Sequence, residues 1–290
     1  MSKYYCLIAG LPSLSPDDTK LTYSVSDFKS ELEPLLSESD RQLMRWFYLK
    51  FDNRNLISYL KKMPEDRFDE RGVFASADIN ALYQSLKEDD RIPKNSSFPA
   101  YFEKFIRAYL AGLENEEAIN FYVLEDRLSA LYYAEAMKCG NEFLSSWFEM
   151  NLNMGNLLSV LNCRKYGLDR EQFIVCDNEI AGLLRQSGAR DFQFGDSGEY
   201  MTELMQIVEE NEPMIREKRL DLLRWKWLDE QTFFKVFDIE SVIAFMLRVE
   251  MIERWVALDK ARGEKTFRRL VSDMKKESAD TLEEFKEKNK

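Results

Sequence analysis

Among its 290 residues the chain contains no histidine. That removes the commonest general base and the commonest transition-metal ligand. Carboxylates do recur at helical spacing, at Glu209, Glu210 and Glu212 and again at Glu250 and Glu253. Such a stripe could hold a metal, but the carboxylate-bridged sites of helical bundles use Glu-x-x-His, which cannot be written here. Solvated helix faces are the simpler reading. Gly195-Asp196-Ser197-Gly198 sets a serine among glycines without forming a nucleophile elbow, and no imidazole exists to activate it. Neither a P-loop nor a G-x-G-x-x-G is present. Cys6, Cys139, Cys163 and Cys176 form no C-x-x-C pair and read as thiols of a reducing compartment. No catalytic, cofactor-binding or metal-ligating residue emerges, and a non-enzyme that takes no small-molecule substrate is expected.

The polar residues that do stand out lie inside apolar helical stretches, and they occur twice. Leu43 to Leu60 reads L-M-R-W-F-Y-L-K-F-D-N-R-N-L-I-S-Y-L, and Leu144 to Leu161 reads L-S-S-W-F-E-M-N-L-N-M-G-N-L-L-S-V-L. The offset is 101 residues, with no gap inside the block. Trp46-Phe47 returns as Trp147-Phe148 and Asn55-Leu56 as Asn156-Leu157, while Asp52 returns as Asn153. Amphipathic helices share apolar spacing for free, but a matching Trp-Phe with an Asn-Leu nine residues after the tryptophan goes beyond that pattern. Self-similarity at a fixed spacing marks a duplicated structural unit. Asp and Asn weaken a helix interior because their side chains compete for backbone partners. Three readings are open for Asp52, Asn55, Asn153 and Asn156: a polar tie between elements, a bend between helices, or an exposed polar face. If they are buried, each copy must supply partners, since an unpaired buried amide costs about 1–3 kcal/mol.

The elements that must position these residues are helices. Only 11 glycines and 7 prolines occur, and the hydrophobic share of 45% can fill a sizeable core. Tyr4 to Leu11 is apolar and could be a strand or the first turns of a buried helix, ending at Pro12. Ser15-Pro16-Asp17-Asp18 has the residues of a helix start, and Ser24 with Asp27 forms a better capping box. The pattern then predicts helices from Asp40 through the first copy, at 75–86, 98–113 and 116–138, and from Asn141 through the second copy to Tyr166, where Gly167 provides a stop. Helices at 199–210, 213–235 and 238–260 follow, then a short closing helix at 265–274 and a charged tail at 275–290. Trp225 and Trp227 fall on different faces, so one is expected to be semi-exposed. The whole reads as one all-helical body with approximate units at 24–113, 114–212 and 213–274. No stretch is long and apolar enough to span a bilayer, and Asn95-Ser96-Ser97 fits a glycosylation acceptor without a signal peptide before it. The net charge of −11 with no dominant basic block disfavours nucleic acid and suits a basic protein surface.

These blocks resemble the C-subunit family of the V-type/A-type ATPases (ATP synthases), whose eukaryotic members are the d subunits. Its members carry successive helical units with an Asp-x-x-Asn-Leu element followed by Leu and a basic residue. Asp52-Asn53-Arg54-Asn55-Leu56 with Leu60-Lys61 is similar to that element, as is Asn153-Met154-Gly155-Asn156-Leu157 with Leu161 and Arg164. In the second copy Asn153 stands where the family has an acid. A third unit is suggested by Ile243 to Arg254, similar to the family's apolar-then-Glu helix and containing Glu250, Glu253 and Arg254, but without an Asn-Leu pair. Tyr4 to Pro12 is similar to the start of short Bacteroidetes members. The resemblance implies a funnel-like body of three helical units and a non-catalytic adaptor in the central rotor. Such an adaptor would couple the D and F stalk subunits to the membrane proteolipid ring during rotary proton or sodium transport. It would be cytoplasmic and peripheral on the inner face of the cell membrane through those partners. The competing expectation, which the lack of chemistry suits equally, is a helical scaffold for an unrelated protein partner.

Overall fold

Helix-favouring composition, regular caps and long apolar stripes produce a chain whose regular elements, among the described residues, are all helical. The computed structural model describes residues 4–21, 23–92, 96–116, 118–188, 192, 194, 199–258 and 263. The expected closing helix at 265–274, the tail at 275–290, Asn95 of the glycosylation pattern and the Gly195–Gly198 stretch lie outside them.

The helices are α1 (Tyr5–Gly10), α2 (Val25–Leu32), α3 (Glu38–Leu60), α4 (Ser76–Glu88), α5 (Ala100–Glu114), α6 (Phe121–Ala136), α7 (Glu142–Tyr166), α8 (Glu179–Gln186), α9 (Glu199–Val208), α10 (Pro213–Thr232) and α11 (Ile239–Ala257). Short 3-10 turns at Glu33–Leu35, Glu65–Arg67 and Arg170–Phe173 join some of them. Tyr4 to Leu11, open between strand and helix in the sequence, is helical as α1.

Caps fix where the helices begin and end. Ser24 and Asp27 form the expected capping box of α2: the hydroxyl accepts from the Asp27 N–H at 3.0 Å and the Asp27 carboxylate accepts from the Ser24 N–H at 3.2 Å. The stretch at Ser15 makes only a single turn, held by the Ser15 N–H donating to the Asp18 carboxylate. The expected start of α3 at Asp40 is corrected to Glu38, because Ser37 is the cap and accepts from the Asp40 N–H. Asn141 caps α7, and Gly167 ends it in the left-handed conformation at φ 67°, which a residue without Cβ adopts freely. Helix α6 starts at Phe121 rather than Glu116, after the cap residue Asn120.

The described chain separates into two compact units. One is built from residues 36–224 and the other from the two ends, residues up to 35 with those from 225 onward. In the first, α3 packs on α4 and α6, α6 on α5 and α7, and α7 on α8 and α9. Phe102, Phe105, Ile106, Leu56, Leu144 and Leu157 are wholly buried in it. In the second, α11 packs on α2, and Phe28 meets Phe245 with ring centroids 5.0 Å apart. Trp225 and Trp227 are both buried, which corrects the expectation that one of them is semi-exposed.

Candidate functional site: two asparagine clamps

The two copies of the repeated block form the long helices α3 and α7. Burial follows the same order along both: Asp52, Asn55 and Leu56 are buried with Arg54 exposed between them, and Asn153, Asn156 and Leu157 are buried with Gly155 exposed. The reading of these residues as an exposed polar face is therefore overturned. Their polar atoms reach loop backbone at Asp52, Asn55 and Asn156, and side chains at Asn153.

Asn55 and Asn156 do the same work. The Asn55 side chain donates to the Asp69 carbonyl at 3.0 Å and accepts from the Asp69 N–H at 2.7 Å. The Asn156 side chain donates to the Val175 carbonyl at 2.8 Å and accepts from the Val175 N–H at 2.9 Å. A carboxamide carries one donor and one acceptor side by side, so it closes a complete pair with one residue's main chain. Each asparagine thereby pins the connection from its own long helix to the next, α3 to α4 and α7 to α8. The connections run downstream of the helices and need such partners because loop backbone in a packed interior must be satisfied.

Position 52 and its counterpart 153 diverge. Asp52 accepts from two successive main-chain groups, the Val73 N–H at 2.9 Å and the Phe74 N–H at 3.0 Å. Only an acceptor at both side-chain oxygens fits two donors. Burial, the largest influence, pushes its carboxyl above the usual carboxylate range, against the two N–H groups and Arg45, which favour the charged form. Asn153 instead donates to the Tyr200 hydroxyl at 3.0 Å and accepts from the Asn178 side chain at 2.8 Å. Asn178 in turn caps α8 by accepting from the Ala181 N–H. The Asn153 carboxamide thus meets its two partners with one donor and one acceptor, where Asp52 uses two acceptors.

The remaining motif residues form the packing behind the clamps. Phe47 and Phe148 meet with ring centroids 5.4 Å apart, so the two copies touch through equivalent residues. Tyr132 lies against both Trp46 and Phe148, and its hydroxyl donates to the Trp46 carbonyl at 2.8 Å. Trp147 is buried and Trp46 half-buried. The suggested third unit brings no clamp among the described residues: Glu250 and Glu253 are half-buried on α11, and Arg254 is exposed with its guanidinium 5.7 Å from the Trp255 ring.

Several residues of the site were not singled out by the sequence. Gly72 allows the loop to cross Asp52 closely, since a Cβ there would stand 2.5 Å from the Asp52 Oδ1. Asp69 is fixed by Arg71, which donates to its carboxylate through Nε at 2.8 Å and Nη2 at 2.6 Å, and Arg71 also lies 4.1 Å from the Phe51 ring centre. Arg71 holds the Asp69 carboxyl below its usual range. On the second connection Arg185 ties down the loop by donating to the Cys176 carbonyl at 2.8 Å and the Ile174 carbonyl at 3.3 Å. The glycine in an otherwise charged stretch, Asp69-Glu70-Arg71-Gly72, was the available signal for a close approach. The remaining partners depend on loop paths that residue spacing does not encode.

Among the described residues no group of three or more Cys, Asp or Glu side chains is placed to hold a metal, and no helix is long and apolar enough to cross a membrane. Over residues 1–278 the chain matches the model of a family described as a protein of unknown function, DUF2764. The chain belongs to that family. No curated protein and no solved structure matches it. The DUF2764 fold is thus seen here through its two clamped helix pairs, whose buried polar atoms are occupied by backbone and neighbouring side chains.

Proposed function

We propose that this DUF2764 chain is a non-catalytic helical adaptor of the central rotor of a V/A-type ATPase, joining the stalk subunits to the membrane proteolipid ring. The observation that carries the reading is the pair of equivalent clamps. Asn55 and Asn156, 101 residues apart, each hold one residue's N–H and C=O on the connection that follows their helix. These are the residues on which the resemblance to the C-subunit family rests, and a body built from repeated, internally tied helical units suits a part that transmits torque.

The recurrence of elements supports the same reading. Long helix, 3-10 turn and two shorter helices follow in one order as α3 to α5 and again as α7 to α9. On the same resemblance we read the body as three related units in a funnel-like arrangement, with Ile243 to Arg254 as a third that carries no Asn-Leu pair. The formal charge of −11 favours a basic partner surface such as a stalk end.

The test is affinity purification of the tagged protein from its native membranes, with mass spectrometry of the co-purifying chains. Recovery of the proteolipid and of the D and F stalk subunits is expected. Reproducible recovery of other proteins with no ATPase components at any salt concentration would overturn the rotor assignment and leave a scaffold for an unrelated partner.

A further inference from the structure

Helix α1 is short because of the residues that follow it. Leu11 precedes Pro12, and the proline ring disfavours helical backbone at the residue before it, so Leu11 is extended at φ −73° and ψ 142°. Pro16 follows four residues on. Between residues 5 and 21 the one helix is α1, six residues long, and a helix of that length does not hold itself in water.

Burial divides the N-terminal segment in the same way. Tyr4 is 2% exposed, and Phe28 and Leu32 of α2 are buried, whereas no side chain of residues 5–21 is buried. Tyr5 touches the Phe237 ring at 4.8 Å between centroids but remains half exposed. The segment is thus pinned at Tyr4 and at α2, with residues 5–21 between the two pins.

Beneath those residues lies a cavity of about 450 Å³. Leu11, Pro12 and Leu14 face it from one side, and Trp225, Val236 and Phe245 from the other. Protein interiors are close-packed, with few voids larger than a water molecule. Across a void of this size the segment forgoes the dispersion contact that it would gain by lying flat on α10 and α11. Its backbone hydrogen bonds are local. Ile8 N–H donates to the Tyr4 carbonyl at 2.9 Å, Leu11 N–H to the Ile8 carbonyl at 3.2 Å and Asp18 N–H to the Ser15 carbonyl at 3.1 Å. None of these three ties the segment to α10 or α11. Helix α11 is the opposite case, with Val242, Ile243, Ala244, Met246 and Val249 wholly buried. Segments with few buried apolar contacts open locally, while core helices open only with the whole unit.

We propose that residues 5–21 are a strap that lifts between its two pins while α2 and α11 stay packed, and that its lifting uncovers the α10–α11 surface carrying Trp225 and Phe245. The cavity is the slack that makes this motion easy. The strap belongs to this unit whatever the partner of the protein is. Co-purification of ATPase subunits and amide exchange are separate readouts, and either can fail without the other.

Amide hydrogen exchange of the full chain, resolved by peptide fragment, tests the proposal. In the parent, residues 8–18 should show protection at least about 100-fold below that of the α11 interior, because they need only a local opening. Tyr4→Ser removes one pin and should speed exchange in the strap further while α2 and α11 keep theirs. In that variant the Trp225 share of the tryptophan emission, taken by difference with Trp225→Phe in each background, should become more accessible to acrylamide. Leu14→Phe fills part of the cavity and should slow strap exchange by about tenfold, the scale of two more buried methylene groups. Equal protection of strap and α11 in the parent would overturn the proposal. So would a parallel loss in both on Tyr4→Ser, or unchanged quenching of Trp225 once the strap has loosened. Unchanged strap exchange in Leu14→Phe would do the same.

Discussion

The connection after α3 and the connection after α7 solve one problem with two chemistries. Both loops are pinned by an asparagine that pairs with a single residue's main chain. Three residues upstream of that asparagine the copies part. The first connection presents two main-chain N–H groups and is met by a carboxylate, while in the second copy the Asn178 side-chain amide of the connection and the Tyr200 hydroxyl of α9 are met by a carboxamide. The asparagine position is fixed by a backbone requirement that any such loop has. The neighbouring position follows whatever its own loop offers, so Asp52 and Asn153 are equivalent in place without being interchangeable.

Removing the side chains should give the largest separation between the copies. Asp52→Ala strands two buried N–H groups and is expected to cost about 2–5 kcal/mol. Asn153→Ala leaves a tyrosine hydroxyl and an asparagine amide that can turn toward other partners, and should cost about 1–2 kcal/mol. Urea unfolding of both variants decides the point, and equal losses would break the distinction. Asp52→Asn should also be clearly destabilising, because its amide must face an N–H donor.

Gly72→Ala tests the close crossing that the first connection makes. Its Cβ would fall 2.5 Å from the Asp52 Oδ1, so a loss of about 1–3 kcal/mol is expected from overpacking. If the loss disappears in an Asp52→Ala background, the clash is with that carboxylate, whereas an undiminished loss would place it elsewhere.

A smaller effect concerns pH. The folded protein raises the Asp52 carboxyl above its ordinary value, chiefly by burial. The folded state therefore holds this proton more tightly than the unfolded chain does. The resulting stability is fully present below the ordinary aspartate value of about 3.9 and is lost as pH rises through the folded one. The difference in unfolding free energy between the parent and Asp52→Asn should accordingly be widest near the acid end and narrow toward neutrality. Asp69 is shifted the opposite way by Arg71, but it is present in both proteins and cancels in the comparison. A gap that widens toward neutrality would mean that the two N–H groups outweigh burial.

The smallest effect is a gain. Gly155 sits inside α7 at the place where α3 carries exposed Arg54, and a Cβ there would meet nothing within 4 Å. Gly155→Ala should stabilise the protein by about 0.5–1 kcal/mol by restricting the unfolded chain and favouring helix. A neutral or unfavourable result would point to a close approach at that face.

Much of the fold is legible in the residues because helices are local. The Ser24–Asp27 box, the Asn141 cap and the Gly167 stop depend on residues a few positions apart, and each stands where the pattern puts it. The duplication of Trp46-Phe47 and Asn55-Leu56 identified positions of consequence. What Asp52, Asn55 and Asn156 hold was not legible, because their partners lie 14 to 22 residues downstream in loops whose paths are set by packing, and the partners of Asn153 lie 25 and 47 residues on. The same limit applies to Trp225 and Trp227. Helical spacing separates their faces, but neighbouring elements cover both.

The division of the chain into units also has a consequence for its synthesis. Each clamp closes a short stretch, so the helix pairs of residues 36–224 can assemble as soon as they emerge. Helix α2 is in a different position, because α11, on which it packs, is encoded after that entire unit. At about 5–20 residues per second, the 206 residues between Leu32 and Ile239 take on the order of 10–40 s to make. Throughout that interval Phe28 and Leu32, fully buried in the finished protein, have no partner to cover them. Helix α2 is thus made well before the helix that completes its burial, and its amphipathic face waits for that partner.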